Sequence, residues 1–425
     1  MRAAAMTDDS ASVRPRPLLV AGGLALLALL LFLANLGVPN KPVFDEIYYV
    51  EAARTLLALR APYNNEHPLL AKLFIAGGIT LFGDNGFGWR FFSAIAGAAL
   101  IAGVFAIGWQ LWGRIRPATY AALIALFNFT VFIQARIAML DGYMAAFLLL
   151  AIAATIAAAR APHPRARRWL IVAAALYGAA VASKWSAAPF LLFAVLAMLW
   201  LRWRDRASGA VHFGGMRAVH MIAILALVSA TVYFASFAPA FFYRFDPLTL
   251  ARLLPFQWEM FVQQTAPLAK HPYQSPWWSW PIDQRPIWYL YEYADGAQRG
   301  ILMIGNPFVL WAGLPAVAAC LWAGLAGRDR ALLGVALLWI ASYGIWVVIP
   351  KKIGFFYYYY IPSIMLALAI IGGSERYLAP RWRYANEAAV LASLALFLWF
   401  YPILSAAPLA DDQAFLHWMW FDSWR

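Results

Sequence analysis

Eleven runs of mostly apolar residues leave this chain little choice of fold. They fall at about 17–38, 87–112, 117–135, 139–159, 168–184, 185–203, 218–240, 301–325, 331–349, 354–373 and 387–406. Most approach the roughly 20 residues that an α-helix needs to cross a hydrocarbon core. Only 12% of the residues are charged, while 64% are apolar. Backbone N–H and C=O groups find no water inside lipid, so the runs must bond internally as helices. The short alternating segments of a β-barrel are absent. The sequence therefore predicts an all-α polytopic membrane protein of about 11 transmembrane helices, a single transmembrane unit over 1–425 with no separate soluble domain.

The formal charge of +13 would suggest nucleic acid in a soluble chain. Here the cations gather in short loops between apolar runs, where they set orientation instead. Arg114 and Arg116, Arg160 to Arg168, Arg202 to Arg217, Arg328 and Arg330, and Arg376 to Arg383 occupy every second connection. With Arg2, Arg14 and Arg16 ahead of the first run, the N-terminus is expected in the cytoplasm, and an odd number of spans puts the C-terminus outside. The first run is longer than a signal-peptide core and lacks a small-x-small cleavage site, so it reads as a retained span. Cys320 is the sole cysteine and sits in an apolar run, which excludes an intramolecular disulfide.

Two long outer segments, 39–86 and 241–300, hold half of the acids. The first carries Asp45, Glu46, Glu51, Glu66 and His67 in one short stretch. Residues 43–60 are too charged to span, and Leu69 to Phe82 reaches only about 21 Å, short of a core of about 30 Å. Both read as helices lying at the outer interface. Arg136, Asp141 and Lys184 fall at the same side, and ionisable groups at membrane depth tend to pair or to serve a function. Asp45 and Asp141 each also fit as helix N-caps. Arg136 fits as the ion-pair partner of Asp141, and Arg90 as that of Asp45, Glu46 or Asp84. Lys72 fits a snorkelling lysine. Lys351 and Lys352 sit on the outer side against the charge bias, which an anionic lipid ligand or general lipid attraction explains. A hard divalent cation at Asp45, Glu46 and Asp141, with His67, stays open. No short-spaced ligand signature compels one, and no metal is assigned.

In chain order, FDEIYY, HPLLAK, WRFFSAIAG, ARIAMLDGY, ASKWS, HPYQSPWWSWP and IGNP resemble the motifs of the protein O-mannosyltransferases, a GT-C family of polyprenyl-phosphate-sugar-dependent glycosyltransferases. The resemblance runs from about residue 20 to 372. It departs at Leu69, where the family's HPPLxK has proline, and in lacking the soluble lumenal domain of eukaryotic members, which implies a bacterial-type protein in the plasma membrane. The resemblance implies inverting transfer of mannose from a polyprenyl-phosphate-mannose donor to Ser or Thr hydroxyls of a polypeptide. It makes Asp45 the base, with Glu46 and Asp141 beside it as catalytic residues. It assigns donor or substrate contact to Lys72, His67, Arg90, Arg136, Lys184, Arg285, Lys351, Lys352 and Trp280, with the aromatic outer loop as a lid. Two alternatives remain: a GT-C enzyme acting on lipid A or another glycan, and a transporter or flippase. A transporter would place its charge at the midplane, whereas this chain places it at the outer rim.

Overall fold

A computed structural model describes residues 16–266, 269–349 and 353–425. The residues at 1–15, with Arg2 and Arg14, and Lys351 and Lys352 lie outside the described residues. The fold is mostly helical. The first third contains α1 (Pro17–Leu33), α2 (Glu46–Leu57), α3 (Leu70–Phe82), α4 (Gly86–Trp112), α5 (Ile115–Leu126), α6 (Phe129–Gln134) and α7 (Leu140–Arg160). It continues through α8 (Arg165–Ser183), α9 (Ala188–Ser208), α10 (Ala218–Ala235) and α11 (Leu253–Thr265) to a hairpin of β1 (Ile287–Ala294) and β2 (Ala297–Met303). The final helices are α12 (Pro307–Leu325), α13 (Arg330–Val348), α14 (Tyr360–Gly373) and α15 (Ala385–Leu404).

Among the described residues, eight helical segments are long and apolar enough to cross a membrane: α4, α7, α12, α13 and α15, and α9, α10 and α14 together with the turns that extend them over Trp185–Ser208, Ala218–Phe242 and Phe356–Leu378. Three expected spans take another form. α1 has 17 residues, and α8 opens on Arg165, Arg167 and Arg168. The run at 117–135 is not one helix, because α5 ends at Leu126 and α6 starts at Phe129. Asn128 makes the break. Its buried side chain accepts from the Thr130 N–H at 3.3 Å and donates to the Ser363 carbonyl and hydroxyl at 3.2 Å. The Phe127 carbonyl released there accepts from Asn306 at 3.0 Å. Irregular backbone inside a membrane protein survives only when protein groups satisfy it in this way.

The expectation of an all-α chain fails at the second outer segment. The span predicted from 301 begins as strand β2, and its helix starts at Pro307, capped by Asn306. Asp295 and Gly296 turn the hairpin with φ of 46° and 77°. Two consecutive positive φ values match the tight turn that Asp-Gly favours. The hairpin is tied to the first outer segment: Lys41 pairs with Glu292, and the Asn40 N–H donates to Asp295 at 2.7 Å.

Packing follows burial. Every residue of α14 is buried, so this helix stands at the centre, while α9, α10 and α13 expose leucines, valines and tryptophans around the perimeter. α3 and α4 cross on glycine: a Cβ on Gly78 would lie 2.1 Å from the Gly88 carbonyl oxygen. That close approach packs α3 directly against α4. At the other end, Arg114 pairs with Glu375 and Arg116 with Glu387, joining two of the Arg-rich connections.

Candidate active site

The site is built outward from Glu46. This residue begins α2 and is fully buried. One carboxylate oxygen accepts from Arg90 Nε at 2.8 Å and the Ala138 N–H at 2.6 Å; the other accepts from Arg90 Nη2 at 2.8 Å and the Val43 N–H at 2.9 Å. The remaining Arg90 donors reach the carbonyls of Leu36, Pro39 and Lys41 at 3.2, 2.9 and 2.9 Å. All five guanidinium N–H groups therefore have acceptors. A buried ion pair is tolerable when its hydrogen-bonding capacity is filled this completely. The pair clamps α2, α4, the turn after α1 and the segment before α7 into one joint. In this arrangement every donor of Arg90 and both oxygens of Glu46 are engaged within the protein, and Glu46 is the ion-pair partner that Arg90 takes among the three the sequence offered.

Asp45 sits on the next residue and is left free to act. It precedes α2, but its side chain makes no capping hydrogen bond, so the cap reading does not hold. The Tyr49 hydroxyl donates to it across 3.5 Å. Phe44, held at φ 49°, stacks on Tyr289 with centroids 4.1 Å apart and fixes the entry to the helix. Burial pushes the Asp45 carboxyl up to about 6, with Lys184 pulling it down and Asp141 pushing it up.

Asp141 also makes something other than a cap. It lies in the first turn of α7 and accepts from Lys184 Nζ at 2.7 Å, with both residues buried. Lys184 ends α8 and lies 5.5 Å from the Tyr357 ring centre. The partner expected for Asp141 was Arg136. Instead the Arg136 guanidinium donates to the carbonyls of Phe32 at 2.8 Å, Asn35 at 3.3 Å and Ala34, all at the C-terminal end of α1. A cation there satisfies carbonyls that have no partner within the helix. Arg136 is thus a staple for α1.

Other assignments move in the same way. Lys72 is fully buried, and its ammonium donates to the His67 carbonyl at 2.9 Å and to that of Asn64. It closes the turn ahead of α3 rather than snorkelling or presenting itself to a phosphate. Lys72→Met is accordingly expected to lower the melting temperature while leaving the KM for a lipid donor unchanged; a raised KM with unchanged stability would return Lys72 to donor binding. His67 is within 2.9 Å of the Gln264 amide through Nδ1 and edge-on to Tyr49 at 5.8 Å, joining α11 to α2. Arg285 donates to the carbonyls of Ser423 and Arg425 at 3.1 Å, pinning the last residues to the aromatic loop. Trp280 is buried, donates to Ser275 Oγ at 3.0 Å and backs onto Tyr358 and Trp346. Asp45, Glu46 and Asp141 do not form a cation cage: Glu46 is saturated and Asp141 is committed to Lys184. Among the described residues no group of three or more His, Cys, Asp or Glu could hold a metal.

Beside the Asp141–Lys184 pair, α7, α9, α13 and α14 border a small cleft. Ser186, Ser342, Tyr358 and Tyr360 line it with Asp141. These hydroxyls escaped the sequence reading. Ser186 closes the ASKWS motif and the two tyrosines lie in the run FFYYYY, a span start by hydropathy, while Ser342 carries no signal. The arrangement brings a carboxylate of raised pKa, a cation and a hydroxyl-lined cleft to one side of the bundle.

The chain has the GT-C fold. It superposes on the Saccharomyces cerevisiae protein O-mannosyltransferase Pmt1-Pmt2 complex bound to the sugar donor with a TM-score of 0.82, at 13% identity, covering 97% of this chain and 93% of that one. ArnT from Cupriavidus metallidurans, bound to undecaprenyl phosphate, gives a TM-score of 0.59 at 19% identity, over 91% of this chain and 65% of that chain. Residues 23–243 match the family model of dolichyl-phosphate-mannose-protein mannosyltransferases, and residues 249–424 match that of the C-terminal four-transmembrane region of protein O-mannosyltransferases. The chain belongs to the protein O-mannosyltransferase family. A Mycobacterium tuberculosis relative, a polyprenol-phosphate-mannose--protein mannosyltransferase, is 27% identical over 97% of this chain and 92% of its own length. A Corynebacterium glutamicum protein of the same name is 24% identical, over 91% and 89%.

Proposed function

We propose that this protein transfers mannose from a polyprenyl-phosphate-mannose donor to Ser or Thr hydroxyls of polypeptides, with inversion at the anomeric carbon. The observation that carries the reading is Asp45: a carboxylate without a capping role, raised to about 6, with Lys184 acting on it across the site. Asp45 takes the hydroxyl proton as the acceptor oxygen bonds to C1. The C1–O bond to phosphate breaks, and the phosphate leaves with the electron pair. General-base catalysis requires a pKa near the working pH, which burial supplies. Lys184 lies where it would offset charge on the departing phosphate. Asp141 holds Lys184 in place, and the Glu46–Arg90 joint holds Asp45. Membranes incubated with labelled polyprenyl-phosphate-mannose and a Ser/Thr-rich peptide should label the peptide. Label confined to glycolipid would favour the reading in which lipid A or another glycan is the acceptor.

In this reading the whole chain is one catalytic unit in a bacterial plasma membrane, with Asp45 at the outer face and the Arg-rich connections in the cytoplasm. α1, α8 and the α5–α6 pair then complete eleven crossings with the eight long helices. The native Cys320 is buried, so an introduced cysteine reports cleanly. In intact cells Asp412→Cys should react with a membrane-impermeant maleimide and Arg206→Cys should not; the reverse pattern would invert the orientation.

A further inference from the structure

The helix α11 has three faces, and each meets a different surrounding. At about 100° per residue, Leu254, Trp258, Phe261 and Val262 share one sector of it. They are exposed by 67, 67, 45 and 51%, and Leu250 extends the stripe one turn ahead of the helix. Trp258 and Phe261 stack on each other with centroids 5.3 Å apart. A second sector carries Arg252, Glu259 and Gln263, with Arg252 paired to Glu259 at 2.9 Å. The third holds Phe256 and Met260, buried against Phe237, Tyr243 and Leu248.

Water is a poor cover for the first sector, because an outward apolar stripe of this kind is stable only beneath something apolar. A protein partner does not fit it either. Specific interfaces use roughly 20–30 residues a side, and the stripe offers five. It follows directly on the membrane-crossing segment Ala218–Phe242, and Phe242 and Phe245, which lie between the two, are exposed as well. An apolar, tryptophan-bearing sector flanked by a charged one is the pattern of a helix lying in a lipid interface. We infer that α11 lies in the interface of the outer leaflet with this stripe on the acyl chains, and that the contact sets the depth at which the connection between α2 and α3 stands. The link to that connection is direct. The Arg244 and Phe245 N–H groups donate to the Leu59 and Arg60 carbonyls at 2.8 and 2.9 Å, and Gln264 donates to the Glu66 carbonyl at 2.6 Å. Both ends of the connection are thus held, and His67 passes the contact to Tyr49, one helical turn beyond Asp45. A lipid-linked sugar presents its C1–O bond at headgroup level, so the base must stand at that level too. The lipid contact stands by itself, whereas its leaflet and its effect on depth rest on the reading above.

The test uses the full-length protein in phosphatidylcholine–phosphatidylglycerol vesicles, nitroxide-labelled at one introduced cysteine at a time, since Cys320 is buried. Collisions with oxygen, which concentrates in lipid, are compared with collisions with a water-soluble nickel chelate. Labels at Leu254→Cys, Trp258→Cys and Phe261→Cys should favour oxygen, and a label at Gln263→Cys should favour nickel. Leu250→Cys takes the place of any stripe variant that fails to insert. Nickel access along the stripe would put it in water, and access to neither reagent would put it under protein; either overturns the inference. For depth, Leu254→Gln combined with Trp258→Gln should cut transfer from long-chain polyprenyl-phosphate-mannose in vesicles about tenfold, within the roughly 100-fold that a misplacement of about 1 Å can cost. Transfer from a short-chain donor in detergent solution should be unchanged. Equal loss with both donors, or loss with neither, overturns the depth assignment. An unmodified protein that transfers from neither donor overturns the transfer reading itself, while the label pattern still decides the lipid contact.

Discussion

Asp45→Asn is expected to cut mannosyl transfer by about 10²- to 10⁴-fold, the usual contribution of a general base, while the protein folds and inserts as before. The amide is close to the carboxylate in shape, and no helix cap is lost, because Asp45 makes no capping bond. Transfer to a Ser/Thr peptide from saturating donor, read beside the melting temperature, separates the two effects. Rates close to those of the unmodified protein would remove Asp45 from the base role. The pH profile carries the same claim. The carboxylate is the form that accepts a proton, and burial disfavours it, so the folded-state pKa lies near 6 rather than at the ordinary 3.8. The rate should then fall as pH drops through about 6, by about tenfold per unit below it, and stay level above. A limb that persists down to pH 4 would contradict the buried carboxylate.

Arg90→Ala should be the most damaging single change to stability. It leaves the Glu46 carboxylate fully buried without its cation and frees three loop carbonyls. Removing one partner of a buried ion pair typically costs about 3–5 kcal/mol, enough to unfold a marginally stable protein. The measurements are yield in the membrane fraction and thermal unfolding in detergent. Pairing the change with Glu46→Gln should recover part of the loss, since the uncompensated charge disappears. If Arg90→Ala melts normally and only the donor KM rises, the joint is a substrate contact after all. The two substitutions thus separate neighbouring acids: at Asp45 activity goes and the fold stays, whereas disturbing the partner of Glu46 takes the fold first.

Much of this architecture was legible in the residues. The apolar runs place nearly every long helix, and the charges at 43–60 with the short run at 69–82 mark α2 and α3 as helices apart from the long apolar ones. The hairpin was missed: Asp295-Gly296 lies between residues of high strand propensity, but hydropathy alone ran β2 into the following helix. The helix break at Asn128 was not legible. It depends on Ser363 and Asn306, more than 170 positions away in sequence, to satisfy freed backbone groups.

For the site the division is sharper. Motif order and charge placement singled out Asp45, Glu46, Asp141 and Lys184 as residues unusual at a membrane rim. Sequence by itself determined that these ionisable groups exist on one side and must be paired or used, because charge in low dielectric is costly. Only the tertiary structure decided which are paired. An arginine's five donors are committed by whatever carbonyls the folded backbone brings within reach, and spacing along the chain does not encode that. Arg90 and Arg136 proved to be spent on backbone and Glu46, Lys72 on a turn, and Asp45 was left available. Hydropathy set which helices could lie in the membrane; three-dimensional satisfaction of hydrogen bonds set which of their charges remain for chemistry.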